Sequence, residues 1–159
     1  MMFCDVSDAK ELAELAESIW MEYFPTIINR DETEYIMNKF QSEKAIEQQI
    51  KNGYLYAFIK SGNKKAGYLC ILPEKDSLFI SKLYVSKDLR GTGLGSQALG
   101  EILDKGRAMK KKKAYLRVNR FNTLAIGVYE HTGFVITKEE KSYIGDGFFM
   151  DDYVMEYSF

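Results

Sequence analysis

Three glycines alternate behind an arginine in the stretch LRGTGLG, residues 89–95, where Arg90 is followed by Gly91, Gly93 and Gly95. The apolar run SLFISKLYV precedes it and a segment of helical periodicity follows, so the stretch joins a strand to a helix. Glycines let several backbone N–H groups converge on one anion, and the start of the following helix adds about half a positive charge. A Walker-type triphosphate loop needs Lys followed by Ser or Thr, and neither Gly93 nor Gly95 has that pair after it. A dinucleotide fingerprint is nearer, because Gly93, Gly95 and Ala98 satisfy G-x-G-x-x-A. The next apolar strand, AYLRVN, ends in Arg117, Val118 and Asn119, with no carboxylate about 20 residues on to hold a ribose. Two readings remain open on these residues alone: a diphosphate cradle, or a plain strand-to-helix turn.

The elements that must position this loop can be read from periodicity. Leu12, Leu15, Ala16, Ile19 and Trp20 recur at helical spacing, which predicts a helix over Ala9–Tyr23 with Ser7 or Asp8 as its N-cap and Pro25 beyond its end. A polar helical region covers 31–52 in two pieces, with Tyr35, Ile36, Phe40, Ile46 and Ile50 as apolar positions and Gly53 as its stop. YLYAFIK, KKAGYLCILP and SLFISKLYV then read as three antiparallel strands in a meander. Residues 93–109 return to helical spacing, KAYLRVN reads as a strand, and 122–132 as a short helix closed by Gly133. FVITKEEKSYIG and GFFMDDYVMEYSF form a final hairpin around GDG. The order, a strand, helices, three strands, a helix, a strand, a helix and two strands, predicts one mixed α/β domain over residues 1–159, with a parallel crossover between SLFISKLYV and AYLRVN.

Composition narrows the partners. With 22 basic and 23 acidic residues the formal charge is −1, which gives no general attraction to nucleic acid or to anionic lipid. The run MKKKK, 109–113, falls at a helix C-terminus, where cations suit the dipole, and reads as a solvated end. Cys4 and Cys70 have no second ligand at metal-binding spacing, so no disulfide framework or metal site is expected. The opening residues lack a basic segment followed by an apolar one, and no stretch approaches a membrane span of about 20 apolar residues. The expectation is a reduced, cytoplasmic protein, with a homodimer plausible because the terminal hairpin exposes sheet edges.

LYVSKDLRGTGLG is similar to motif A of the GNAT superfamily of acyl-CoA N-acyltransferases. That loop has Gln or Arg, two residues, Gly, one residue, then Gly or Ala, filled here by Arg90, Gly93 and Gly95. YLRVNRFNTLAIGVYEHTGF resembles the family's following block, with Asn122, Ala125, Tyr129, Gly133 and Phe134 in the matching places. The resemblance implies a mixed, mostly antiparallel sheet of about seven strands flanked by helices and splayed at the motif A strand. It implies acetyl-CoA as co-substrate and no metal. It also assigns roles: loop amides of Arg90, Gly91, Thr92, Gly93, Leu94, Gly95 and Ser96 on the pyrophosphate, the strand at Leu83 and Val85 along the pantetheine arm, and Asn122 against the cofactor. For Asn122 a plain helix cap is an equal reading. Tyr129 matches the family's general acid, which protonates the departing thiolate.

The base is less evident. Many family members carry a Glu at the positions corresponding to Ser81 or Phe79, and neither is a carboxylate here. Water relayed through Ser81, or one of Glu22, Glu32, Glu34 and Asp151, must then take the proton of an amine whose pKa is about 10.4. His131, two residues from Tyr129, sits on another helix face and reads as structural. For the acceptor, Tyr23, Phe24, Glu32 and Tyr35 combine aromatic walls with a carboxylate, which suits a cationic amine. A small amine or polyamine is the leading acceptor; a protein N-terminus or lysine is the first alternative, and a non-catalytic acyl-CoA-binding module the second.

Overall fold

The first helical stretch begins at Asp5, earlier than the caps expected at Ser7 or Asp8. In the computed structural model, which describes residues 2–159 and of Met2 only the backbone, Asp5 and Asp8 close a capping box over a 3-10 turn, Val6–Asp8. Asp8 already has helical backbone angles, φ −87° and ψ −5°, so the half-in cap falls to the extended Asp5, φ −117°. Helix α1, Ala9–Tyr23, continues from that turn and buries Leu12, Ala16, Ile19 and Trp20. The two polar pieces are α2, Arg30–Phe40, and α3, Glu43–Lys51, capped by Asn29 and Ser42 through bonds of 2.7 and 3.2 Å from the Glu32 and Ala45 amides.

Seven strands follow the order the sequence predicts: β1 Met2–Phe3, β2 Leu55–Ser61, β3 Lys64–Pro73, β4 Ser77–Val85, β5 Lys113–Asn119, β6 Val135–Gly145 and β7 Phe148–Ser158. In the sheet they lie β1-β2-β3-β4-β5-β7-β6, and every neighbouring pair is antiparallel except β4 and β5. Helix α4, Leu94–Ala108, makes the crossover between those two, and α5, Thr123–Thr132, follows β5. Helices α1 to α3 cover one face over Tyr56, Phe58, Tyr68 and Cys70. Helices α4 and α5 cover the other over Leu69, Ile71, Leu78, Ile80, Leu116 and Met155. Each such fully buried side chain contributes roughly 1.5–3 kcal/mol, so the central strands form a stiff platform. Among the described residues, no helix is long and apolar enough to cross a membrane.

The platform opens at one place. β4 and β5 pair only from Ser77↔Lys113 to Ile80↔Leu116. Opposite β3, Ile71 faces Ile80 while Cys70 faces Lys82, which leaves Ser81 as an unopposed bulge residue. A bulge bends its strand. Beyond it β4 stays with β3 as far as Gly67↔Val85, and β5 stays with β7 as far as Asn119↔Asp152. The sheet is therefore split between 81–85 and 117–119, at the strand where the splay was expected.

Gly67 fixes where the far end of β4 sits. A Cβ there would stand 2.2 Å from the Tyr84 carbonyl oxygen, and the adjoining Ser86 amide bonds the Ala66 carbonyl at 2.8 Å. Gly67→Ala should lower stability by about 2–3 kcal/mol through this backbone overlap. For a chain of this size that corresponds to a fall in melting temperature of roughly 5–10 °C in a thermal scan; an unchanged melting temperature would show that β3 is free to shift.

Candidate functional site

The glycine loop ends β4 and starts α4. Gly91 and Gly93 have φ of +78° and +89°, the left-handed region where side chains are strained. Gly95 is different, because a Cβ there would meet only Val85 Cγ2 at an ordinary 3.8 Å and φ is not positive. The protein's own packing thus requires glycine at 91 and 93 and not at 95. Gly93 is the N-cap residue of α4 and supplies no side-chain cap. Among the described residues, the backbone N–H groups of 93–96, at the start of α4, make no loop or cap bond to a protein acceptor, while a turn closes over Arg90 and Gly91. Unpaired donors at the positive end of a 15-residue helix form an anion-binding concavity. A diphosphate fits that donor set.

Arg90 shapes the loop from beneath. Its Nε donates to the Val85 carbonyl at 3.0 Å, its guanidinium lies 3.4 Å from Glu22 and stacks 4.7 Å from the centre of the Tyr23 ring. The guanidinium is thereby committed to protein partners. Thr92 turns inward, with its hydroxyl on the Leu89 carbonyl. Thr92 and Leu94 stand outside the cavity lining, whereas Gly91, Gly93, Gly95 and Ser96 are in it.

The split sheet holds a cavity of about 610 Å³ that runs from this loop, through the gap beside Leu83 and Val85, to the face under α1 and α2. The structure brings Ser81, Leu83, Val85, Arg90, Asn122, Tyr129, Tyr23, Phe24 and Glu32 to its walls. Asn122 is an N-cap, its Oδ1 accepting from the Ala125 amide at 3.3 Å, and the same oxygen accepts from the Tyr23 hydroxyl at 2.9 Å. One side chain therefore ties α5 to α1 at the cavity edge. The Tyr129 ring packs 5.8 Å from Phe134, its hydroxyl has no hydrogen-bond partner among the described residues, and burial pushes its pKa up to about 12. That phenol stays protonated at neutral pH, as a proton donor must.

On the α1 side the walls are aromatic. Trp20 stacks on Phe24 at 3.9 Å, and Tyr84 meets both edge-on at 5.4 and 5.9 Å. Tyr35 is outside these walls: its hydroxyl donates to the Ile144 carbonyl at 2.6 Å, beside Gly145, where a Cβ would come within 2.3 Å of that hydroxyl. Lys39 Nζ donates to the same carbonyl. These contacts fasten α2 to the β6–β7 hairpin across the cavity, so Tyr35 acts as a clasp and not as a wall. Of the four carboxylates proposed for the proton, only Glu32 reaches the lining, and burial raises its pKa. Glu22, Glu34 and Asp151 are ion-paired to Arg90, Arg30 and Arg120. His131 is exposed and outside the lining. In the MKKKK run, Lys112 and Lys113 pair with Asp76 and Glu156 and Lys111 bonds the Glu74 carbonyl, so the run anchors the β3–β4 turn.

Two lining residues escaped the sequence reading. Lys82 is buried, with Nζ donating to the Phe40 carbonyl at 2.9 Å, to Gln49 Oε1 at 2.8 Å and to the Tyr56 hydroxyl, and desolvation lowers its pKa to about 8. Asp152 is 6% exposed, with a pKa raised to about 6 chiefly by burial, against the lowering effect of Arg117. The signal for both lay in strand alternation: Asp152 shares a face with Met150, and the bulge at Ser81 turns Lys82 to the helix side opposite Leu83.

A carboxyl whose folded pKa exceeds its unfolded value destabilises the fold once pH rises past the unfolded value, and the full penalty is reached above the folded one. From 3.8 to about 6, this amounts to about 3 kcal/mol at pH 7.5. Asp152→Asn should therefore melt higher than the parent at pH 7.5 and equal to it near pH 4. A gap of the same size at both pH values would mean that no charge is being penalised.

Comparison with known proteins gives the family. The chain matches the sequence model of the Acetyltransferase (GNAT) family over residues 12–134. No curated protein sequence matches it. The fold is similar to that of the PaiA N-acetyltransferase of Thermoplasma acidophilum in complex with coenzyme A, with a TM-score of 0.82 and 17% identity over 100% of both chains. It is also similar to a GNAT acetyltransferase from Elizabethkingia anophelis with acetyl-CoA bound, TM-score 0.62 and 19% identity over 73% of this chain and 83% of that one. The Escherichia coli ribosomal-protein-S18-alanine N-acetyltransferase shares 23% identity over 74% of this chain and 76% of its own, with a TM-score of 0.64. The family match spans the split strand, the glycine loop with the unpaired amides at the start of α4 and the helix that carries Tyr129, and on that ground the chain belongs to the acetyltransferase (GNAT) family.

Proposed function

We propose that the protein transfers the acetyl group of acetyl-CoA directly to a primary amine of a small molecule, with polyamine-like amines as the leading class. The observation that carries the choice of acceptor is the clasp of α2 on the β6–β7 hairpin through Tyr35, Lys39 and Ile144. It joins α2 to the hairpin, and Glu32, Ile36 and Phe40 of the one and Ser142, Phe149 and Met150 of the other line the cavity, where a polypeptide acceptor would need an open groove for the residues flanking its amine. The aromatic walls Trp20, Tyr23, Phe24 and Tyr84, with Glu32 among them, suit a cation.

The donor end is held by backbone. The amides of 91–96 receive the pyrophosphate, and the free edge of β4 at Leu83 and Val85 receives the pantetheine arm as an added strand would be received. Arg90 keeps the loop in shape, and Asn122 holds the start of α5 so that Tyr129, two turns on, faces the gap. Ser81, at the bulge where β4 leaves β5, sits at the junction of the donor and acceptor halves. Tyr129 supplies a proton to the departing thiolate, for which a phenol held protonated by burial is suited.

Thiol release from acetyl-CoA, followed across monoamines, diamines and short peptides with free N-termini or lysines, tests the acceptor class. Diamines should turn over at least ~10-fold faster in kcat/KM than any peptide, and equal or faster peptide turnover would favour the protein acceptor. Tyr129→Phe should lower kcat by about 100-fold or more while leaving the acetyl-CoA dissociation constant, measured by calorimetry, within about twofold. Loss of binding in step with loss of rate would make Tyr129 a packing residue instead.

A further inference from the structure

Asp152 poses a question that the donor half does not answer. It is almost fully buried at the last rung of the β5–β7 ladder, opposite Asn119, where β4 and β5 have already parted, and it lines the acceptor side of the cavity. Among the described residues its carboxylate has no hydrogen bond and no ion pair. Its neighbours show that this is particular to the position. Asp151, one residue away on the other strand face, pairs with Arg120 at 3.3 Å, and Glu140, its rung partner on β6, holds Arg117 at 2.7 Å and Lys138 at 2.8 Å. Buried carboxylates are ordinarily paired, and one that is not carries a desolvation cost that a bound partner would remove.

The cavity's own cations do not supply that partner. Lys82 spends its three N–H donors on Phe40, Gln49 and Tyr56. Arg90 is bound to Val85 and Glu22, and Arg117 to Glu140. The uncharged groups around Asp152 are phenols: Tyr84 on β4 feels both Asp152 and Tyr129. A carboxylate at the junction of the split sheet, flanked by aromatic rings and facing a cavity whose cations are all committed, is shaped for an incoming cation with protons to lose.

Resting on the amine acceptor proposed above, we infer that Asp152 receives the acceptor's ammonium group and takes its first proton. The ammonium passes one proton to the Asp152 carboxylate, which becomes a carboxylic acid and leaves a neutral amine. The amine nitrogen then bonds to the acetyl carbon as the carbon–sulfur bond breaks. The nitrogen's second proton ends on the departing sulfur by way of Tyr129, and the Asp152 proton returns to solvent. An ammonium ion and acetyl-CoA thus give an amide, coenzyme A as the thiol and one free proton. Asp152 is a catalytic residue in this assignment, and its position on β7 explains how the reaction proceeds with Ser81 and Phe79 where relatives of the family type carry a carboxylate.

The pH dependence follows from the groups that face it. Burial raises the Asp152 pKa to about 6, Arg117 on β5 opposes that, and Asp151 on β7 and Glu140 on β6 add to it. Tyr23 on α1, Glu32 on α2, Tyr54 before β2, Lys82 and Tyr84 on β4, Arg90 in the loop and Tyr129 on α5 are the other titratable or charged groups on the cavity walls. The active form is the carboxylate, so kcat/KM should fall as pH drops through about 6.

The test uses thiol release from acetyl-CoA with 1,4-diaminobutane from pH 5.5 to 10, on the parent and on Asp152→Asn, Asp152→Glu, Asp151→Asn and Glu32→Gln. Asp152→Asn should lose at least ~100-fold in kcat/KM at pH 7.5, keep acetyl-CoA affinity within about twofold, and regain most of the loss near pH 10, where free amine needs no base. Asp152→Glu should recover part of the rate, and Asp151→Asn should match the parent at pH 7.5. A loss under about threefold, a deficit of equal size at every pH, or an acidic limb that disappears in Glu32→Gln and persists in Asp152→Asn would overturn the assignment while leaving the amine reading intact. If the parent turns over no amine although acetyl-CoA binds, the acceptor reading fails and the role of Asp152 falls with it.

Discussion

The bulge at Ser81 is the constraint on which the rest of the molecule depends. Four rungs of parallel pairing, ending at Ile80↔Leu116, hold β4 and β5 together, and the extra residue on β4 then bends it toward β3 while β5 follows β7. The residues proposed to bind and react lie along the opening. The glycine loop hangs from the diverging end of β4, α5 starts from the diverging end of β5, and Asp152 stands on β7 beside the last residue of β5. A sheet paired to its full length would bury Leu83 and Val85 between strands and close the cavity. The opening is tolerated because both faces are packed: α4 and α5 on Leu78, Ile80 and Leu116, α1 to α3 on Tyr56, Tyr68 and Cys70.

The polar groups that face this opening are of two kinds. Those of the donor half are backbone amides, unpaired because a helix start has no preceding carbonyls to offer them. Those of the acceptor half are side chains in a dry setting, where burial shifts Asp152 and Glu32 up and Lys82 down. Lys82 meets its burial with three acceptors and so is a structural cation that pins α3 and the end of α2 to the sheet. Asp152 has no such partner. The contrast separates a buried charge that the fold has satisfied from one that it has not.

Most of the fold was legible because its signals are local. Helix periodicity, Gly53, Gly133, the Gly62 turn and the GDG turn mark ends that depend on a few neighbouring residues. The shape of the glycine loop was legible for the same reason: converging backbone donors need only left-handed glycines and a helix to follow, and Gly91 and Gly93 declare both. Residues whose role depends on which face they take were harder. Tyr35 has the spacing of an acceptor wall, yet it lies beside the lining positions Glu32 and Ile36 and reaches Ile144 instead. Asp151 and Asp152 are chemically alike, and only the register of β7 against β5 decides which one is buried. The phase change from Leu78 and Ile80 to Leu83 and Val85 was itself written in the sequence as an apolar spacing that skips one residue, and it marks the bulge.

This division bears on how such a protein can change its substrate. The donor half is built from main chain and from a glycine loop whose geometry few residues can support, so substitution there is restricted. The other half of the cavity is lined by side chains of α1, α2 and the β6–β7 hairpin, with α2 and the hairpin joined outside the lining by Tyr35 and Lys39 on one carbonyl. Exchanging those side chains reshapes the cavity without disturbing the cradle or the core of α4 and α5. The link between the halves is narrow and runs through the end of α1: Asn122 accepting from Tyr23, Arg90 stacked on that same ring, and Glu22 paired with Arg90. Tyr23 is therefore the residue through which a change in the acceptor helix would reach the donor site, because its hydroxyl and its ring hold the two ends of the opening at once.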